Sequence, residues 1–361
     1  MAYRFKIGES FNAGLQRVGR EQILRALAQY AEDDPAIGIH ETRRCLKRLR
    51  ALLRLVRPGI GDACFASENR RFRDIARRLS GSRDRTVLIA TLATLILHAK
   101  SEDKRLLVLL RDALAAQPSG DNAYRHDLIA SVSGDLKDSL EAWKELRLEP
   151  NSFEPLGEGL GATYERCRRL FRKAYRDGED ADFHEWRKAV QQHWRHMRLL
   201  QRGWPAYFLA RARQASELSS LLGVAQDLAL LADHIAGAGG GVLKPRQRGR
   251  LLALVRHRQD EYKQAAEPCA VRLCAEGASG HVERAMLYWE AAPRIAKTMP
   301  AAVTKSPGDV ENEQSEKEPG ADELATPRTT SIPAWAGGPA SRRGSARPTQ
   351  GDAPAAGKKR K

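Results

Sequence analysis

The chain has 361 residues, with 61 Lys and Arg against 45 Asp and Glu, for a formal net charge of +16. That length supports one large or two modest domains, and the surplus of cations fits a polyanionic partner: nucleic acid, an anionic membrane surface or a phosphate polymer. Five cysteines without a C-x-x-C pair argue against a disulfide framework or a zinc ribbon and suit a reducing cytosol. MAYRFKIGES has no apolar stretch of a secretory leader, so the cytoplasm is the expected compartment.

Ser10 is placed to cap a helix running to about Tyr30, with Leu15, Val18, Ile23, Leu24 and Leu27 on its apolar side. Asp34-Pro35 then breaks the chain before IGIHETRRCLKRLRALLRLVRPG, residues 37–59. On a helix, at about 100° per residue, His40, Arg43, Lys47, Arg50, Arg54 and Arg57 fall within an arc of about 100°. Leu46, Leu49, Leu52, Leu53 and Val56 take the far side, and Arg44 and Arg48 add to the charge of the run. Glu41 is its only acid. Like charges at i,i+4 each cost a few tenths of a kcal/mol, so an almost purely cationic stripe makes physical sense when an anionic ligand neutralises it. Arg suits phosphate because its planar fork matches two oxygens; Lys supplies a point charge, and His40 supplies one or two donors according to its protonation. Pro58-Gly59 is the expected stop.

Further helices are expected at about 68–79, 83–99, 102–116, 123–148, 160–176, 182–202, 207–222, 225–236, 245–266 and 282–290. The longest apolar run, TVLIATLATLILHA at 86–99, is shorter than a membrane span and reads as a core helix. Arg70, Arg73 and Arg77 line one face of the third helix, Arg83 and Asp84 begin the fourth, and YERCRRLFRK sets Arg168 and Arg172 at i,i+4. Asp84 and Asp227 read as structural, capping a helix or bracing an arginine. GAGGG at 237–241 reads as a connector. From about Pro300 onward the chain is rich in Pro, Gly, Ser and Ala, lacks any period and ends in GKKRK; disorder of residues 296–361 is expected.

HETRRCLKRLRALLRL from His40 is echoed by HEWRKAVQQHWRHMRLL from His184, and LSGSRD at 79–84 by LGVAQD at 222–227. Two motifs repeated in order at nearly one spacing predict an all-α fold of two related four-helix bundles, the first repeat at about 10–150 and the second at about 156–295.

These segments resemble the CHAD family, the conserved histidine α-helical domain, over roughly Ser10 to Glu290. The resemblance implies pseudo-symmetric, antiparallel four-helix bundles with a basic groove or pore between them, and binding of inorganic polyphosphate with no catalytic role or cofactor. Association with polyphosphate or storage granules is compatible with that role. The residues expected to line the groove are His40, Arg43, Arg44, Lys47, Arg48, Arg50, Arg54, Arg73, Arg77 and Arg83 from the first repeat. The second is expected to supply Arg168, Arg172, His184, Arg187, Lys188, Arg195 and Arg198. Gln191, Gln192 and Gln226 stand where the first repeat has Lys47, Arg48 and Arg83, so the second half carries less charge.

Two other readings compete. A nucleic-acid binder would share the phosphate contacts, but aromatic residues are 6% of the chain and do not interleave with the basic stripe. A metal-dependent phosphohydrolase would need more than the lone His126-Asp127 pair. His184-Glu185 lacks the second His of H-E-x-x-H, His193 and His196 fall away from the His184 face, and no E-x-E-x-K strand or phosphate-binding Gly-rich loop occurs.

Overall fold

The structure, a computed structural model, describes residues 3–29, 35–79, 83–117 and 123–298. The expectation of a disordered tail, and the side chains of Arg83, Asp84, His126 and Asp127, lie outside the described residues. What is described is all-α, as the 3.6-residue period requires. In order come α1 (Phe11–Ala28), α2 (Pro35–Ile60), α3 (Asp62–Arg78), α4 (Arg83–His98), α5 (Ser101–Ala115) and α6 (Ala123–Lys144). They are followed by α7 (Glu154–Asp177), α8 (Asp180–Leu199), α9 (Pro205–Ala236), a 3-10 turn (Ala238–Val242), α10 (Pro245–Leu273) and α11 (Ala278–Thr298). None of the described helices is long and apolar enough to cross a membrane.

Ser10 caps α1, its Oγ accepting from the Ala13 amide at 3.1 Å. α2 runs three residues beyond Arg57, through the expected Pro58-Gly59 stop, and the turn comes at Gly61 with φ 77°. Proline in the last turn of a helix removes one hydrogen bond without displacing the chain, so the reversal falls where φ is positive. A larger departure concerns α9. LGVAQD was expected to separate two helices, as LSGSRD does between α3 and α4, but α9 is one helix of 32 residues. Gly223 is the weakest helix former in that segment, and Arg187 packs over it, so the helix continues. Asp227 is therefore buried within a helix and does not cap one.

α1, α2, α3 and α6 pack in a ring, and α7, α8, α9 and α10 pack side by side in that order. The largest apolar cluster joins that ring to the start of α7, the end of α8 and α11; Leu49, Leu52, Leu53, Phe72, Trp143 and Leu160 are members. A second holds Cys167, Trp186, Val190, Leu218 and Ala270 between α7, α8, α9 and α10. The third departs from a simple division near residue 150: α4 and α5 pack Leu92, Ile96, Leu107 and Leu110 onto Leu228, Leu231, Leu251 and Val255 of α9 and α10. α4 carries apolar residues around most of its circumference and needs cover from a second helix pair.

Candidate anion-binding face

The stripe on α2 faces α3 on one side and α7 and α8 on the other. Arg50 Nε donates to Asn69 Oδ1 of α3 at 3.0 Å. Arg57 Nε donates to Asp62 Oδ1 at 2.7 Å, and its guanidinium lies 4.8 Å from the Phe65 ring centre. Arg54 reaches over the same ring at 5.6 Å, and its buried Nε has no hydrogen-bond partner among the described residues. Burial first, then Arg50, Arg166 and Arg57, push the Arg54 guanidinium down to about 10, with Glu185 pulling the other way. It is still charged at neutral pH. Arg50 is lowered too, by burial and by Arg73 of α3.

Arg166 of α7 enters this cluster because α7 crosses α2 at Gly159. A Cβ there would sit 2.0 Å from the Leu55 carbonyl oxygen and 2.9 Å from that of Arg54. Pro58 has no N–H to offer the Arg54 carbonyl, so α2 is open at the crossing. Two helical turns on from Gly159, Arg166 shares its face. Arg166 donates to Glu185 Oε2 at 3.1 Å and Gln192 Oε1 at 3.5 Å. Against the upward push of its burial, Lys188 and Arg166 hold the Glu185 carboxyl low. Lys188 pairs with Glu185 from the exposed side of α8. His184 is exposed on one side. Desolvation of the rest of its ring, then Lys188 and Arg187, lower its pKa, with Glu185 pulling the other way.

Arg43 and Arg187, equivalent in the two repeats, make equivalent contacts. Arg43 Nη1 donates to the Leu79 carbonyl at 2.9 Å, and Arg187 Nε to the Ser219 carbonyl at 3.3 Å. Each ties its histidine-bearing helix to the helix that follows. Gln191 adds a hydrogen bond to Ser219 Oγ at 3.2 Å. His40, Lys47 and Arg198 are half-buried on their helices, and Arg44 turns to Glu41, which also takes Arg25 of α1 at 3.5 Å. Arg73 and Arg77 are exposed and share Asp74, at 3.3 and 3.5 Å.

Four expected groove residues point elsewhere. Arg48 is 5% exposed, 5.5 Å from the Tyr3 ring centre and within 3.4 Å of Gln22 Oε1; its position on α2 lies off the stripe, toward α1. Arg195 is 4% exposed, donates to the Gln191 carbonyl at 2.9 Å and covers the Trp194 ring at 5.1 Å. Arg168 and Arg172 turn to Glu165, and Arg168 Nε also donates to the Cys274 carbonyl at 3.3 Å, on the α10 side of α7. Arg166 takes the place assigned to them. The spacing of seven between Gly159 and Arg166 was the available signal.

His193 and His196 are fully buried, and His196 Nε2 donates to the Ala51 carbonyl of α2 at 2.9 Å. Among the described residues no group of three or more His, Cys, Asp or Glu is placed to hold a metal ion. The face as built gathers guanidinium groups from two helices, α2 and α7, around one that is incompletely hydrogen-bonded among the described residues. Such a surface holds oxyanions by charge-assisted, forked hydrogen bonds.

A family model for the CHAD domain matches residues 18–236, more than half of the chain. The chain belongs to the CHAD domain family. The CHAD match begins inside α1 and ends at the last residue of α9, so it contains the whole Arg50, Arg54 and Arg166 cluster, while α10 and α11 follow it. No curated protein matches the chain.

Proposed function

We propose that this CHAD domain chain binds inorganic polyphosphate along the α2 stripe where α7 and α8 cross it, acting as a binding protein with no catalytic step. The single observation that carries the reading is Arg54: a buried Nε without a hydrogen-bond partner among the described residues, in a guanidinium pressed by Arg50, Arg166 and Arg57. Bringing like charges together is unfavourable, and a chain of phosphates with about one charge per unit relieves it along its length. Membership of the CHAD family favours the same ligand. Nucleic acid is disfavoured at this face because Phe65, the aromatic ring beneath the arginines, is 8% exposed and closed to base stacking. The cytoplasm is the compartment that fits this reading.

The test is a binding titration against polyphosphate of defined lengths, with pyrophosphate and duplex DNA of equal total charge as competitors. Expected are affinity that grows with chain length, weak competition by DNA and no loss in EDTA. Equal competition by DNA would favour the nucleic-acid reading, and loss in EDTA would show a metal-bridged contact.

A further inference from the structure

α11, which follows the matched family region, brings the chain back to one end of the cationic stripe. Trp289 of α11 lies against Phe153, ring centres 6.4 Å apart, and Phe153 directly precedes α7. Gly59, near the end of α2, approaches the same place: a Cβ there would sit 2.9 Å from the Pro155 side chain in the first turn of α7. The described residues end further along α11, at Thr298. Beyond them comes DVENEQSEKEPGADE, residues 309–323, with seven acids and the single cation Lys317, in a chain whose net charge is +16. An extended chain gains about 3.3–3.6 Å per residue, so the stretch from Thr298 to Asp309 spans up to roughly 35 Å. That exceeds the ~13 Å that α11 rises between Trp289 and Thr298, so a return to Arg57 is within reach.

We propose that this acidic segment is an internal competitor of polyphosphate: its carboxylates occupy Arg50, Arg54 and Arg57 and must be displaced before a phosphate chain binds. The proposal rests on the reading of the α2 stripe as the polyphosphate site and adds the regulation of that site.

The face calls for an anion independently of the segment, because the buried Arg54 Nε has no hydrogen-bond partner among the described residues. Carboxylates accept forked hydrogen bonds from guanidinium groups as phosphate oxygens do. Glu311 and Glu313 are two residues apart, as are Glu316 and Glu318. In an extended chain such pairs face one way about 6.6–6.8 Å apart, close to the ~6 Å that α2 rises from Arg50 to Arg54. Attachment to α11 holds the segment near the face at an effective concentration in the millimolar range, so weak contacts suffice to keep it there. A short anion, making few contacts, is held off. A long polyphosphate makes many and displaces the segment, so the tether sharpens the preference for chain length.

The experiment titrates polyphosphate of one defined length, at low salt, into the full-length chain and into a full-length variant carrying Glu311→Gln, Glu313→Gln, Glu316→Gln and Glu318→Gln. The expected result is an affinity gain of about threefold or more in the variant, fading as salt rises. Adding Arg54→Ala and Arg166→Ala to both chains should abolish that gain; a gain that persists comes from net charge alone and overturns the proposal. Equal affinities of the unaltered and four-Gln chains also overturn it, while leaving the polyphosphate reading intact. If neither chain binds polyphosphate, that reading fails, and the segment is judged by a fluorescent peptide of residues 306–323. The peptide should bind the four-Gln chain and lose binding on Arg54→Ala with Arg166→Ala; no binding, or equal binding to both, overturns the proposal. Light scattering should give one mass for the two chains, and a dimer seen only with the acidic segment would place it on a second copy and overturn the intramolecular role.

Discussion

Arg54 has neighbours of its own sign on three sides: Arg50 and Arg57 on its own helix and Arg166 across the crossing. Charge-assisted hydrogen bonds are worth about 1.5–3 kcal/mol, so Arg54→Ala should weaken polyphosphate binding about tenfold or more. The same change relieves repulsion, so denaturant unfolding should show little loss of stability beyond that of the buried stem. Arg168→Ala, removing a cation that turns to Glu165 and Cys274, should leave affinity within about twofold. Equal losses from the two variants, measured by titration at one salt concentration, would mean that bulk charge and not this face binds the ligand. The sequence made Arg54 legible because acids are nearly absent from the α2 run and its leucines share the opposite side. It did not distinguish Arg166 from Arg168, because α7 is basic on two faces and only the close approach at Gly159 says which one meets α2. Arg48 and Arg195 were misplaced for a related reason. A helical wheel gives a direction, but the neighbour waiting there, Tyr3 or Trp194, comes from distant or adjacent chain that the period does not describe.

At the scale of elements, the α2–α7 crossing depends on one missing methyl group. Gly159→Ala places a carbon where only 2.0 Å separates it from the Leu55 carbonyl oxygen, and backbone cannot rotate away as a side chain can. The helices must move apart, which should cost about 1–3 kcal/mol in denaturant unfolding and weaken polyphosphate binding as Arg166 withdraws from Arg54. Ordinarily Gly→Ala in a helix is stabilising by up to about 1 kcal/mol, so the sign of the change is the test. A more stable Gly159→Ala variant with intact binding would refute the crossing. Helices were legible from periodicity almost throughout, but their joints were not. LSGSRD and LGVAQD look alike as breaks, yet α9 passes straight through the second because Arg187 packs over Gly223 and ties to Ser219.

Across the whole molecule, the cationic surplus is concentrated on a scaffold whose interior holds neutral histidines. Burial, with Arg54 and Arg195 nearby, lowers His196 to about 4 although the Ala51 carbonyl favours its charged form. His193 is also lowered, by burial and then by His281 and Arg211, and His281 by burial despite Glu276. A histidine whose folded pKa is depressed binds its proton first in the unfolded chain, so stability is complete above about pH 6.5 and falls as pH drops toward 4. For His196 alone the loss is on the order of 3 kcal/mol. Urea unfolding at pH 7.5 and 5.0 should show a lower midpoint at the acid value, and a constant midpoint would contradict neutral burial. That interior was only partly legible: the apolar pattern placed the cores, but the contact of α4 and α5 with α9 and α10 joins residues far apart in the chain.

The most direct measurement of the central claim is polyphosphate affinity as a function of salt for the unaltered chain and for Arg54→Ala with Arg166→Ala. A groove that neutralises several phosphates releases counterions, so log affinity should fall linearly and steeply with log salt. The double variant should bind more weakly at every salt and with a shallower slope, having lost about two phosphate contacts. Identical slopes and affinities for the two proteins, or binding that barely responds to salt, would contradict an anion-binding face at the crossing of α2, α7 and α8.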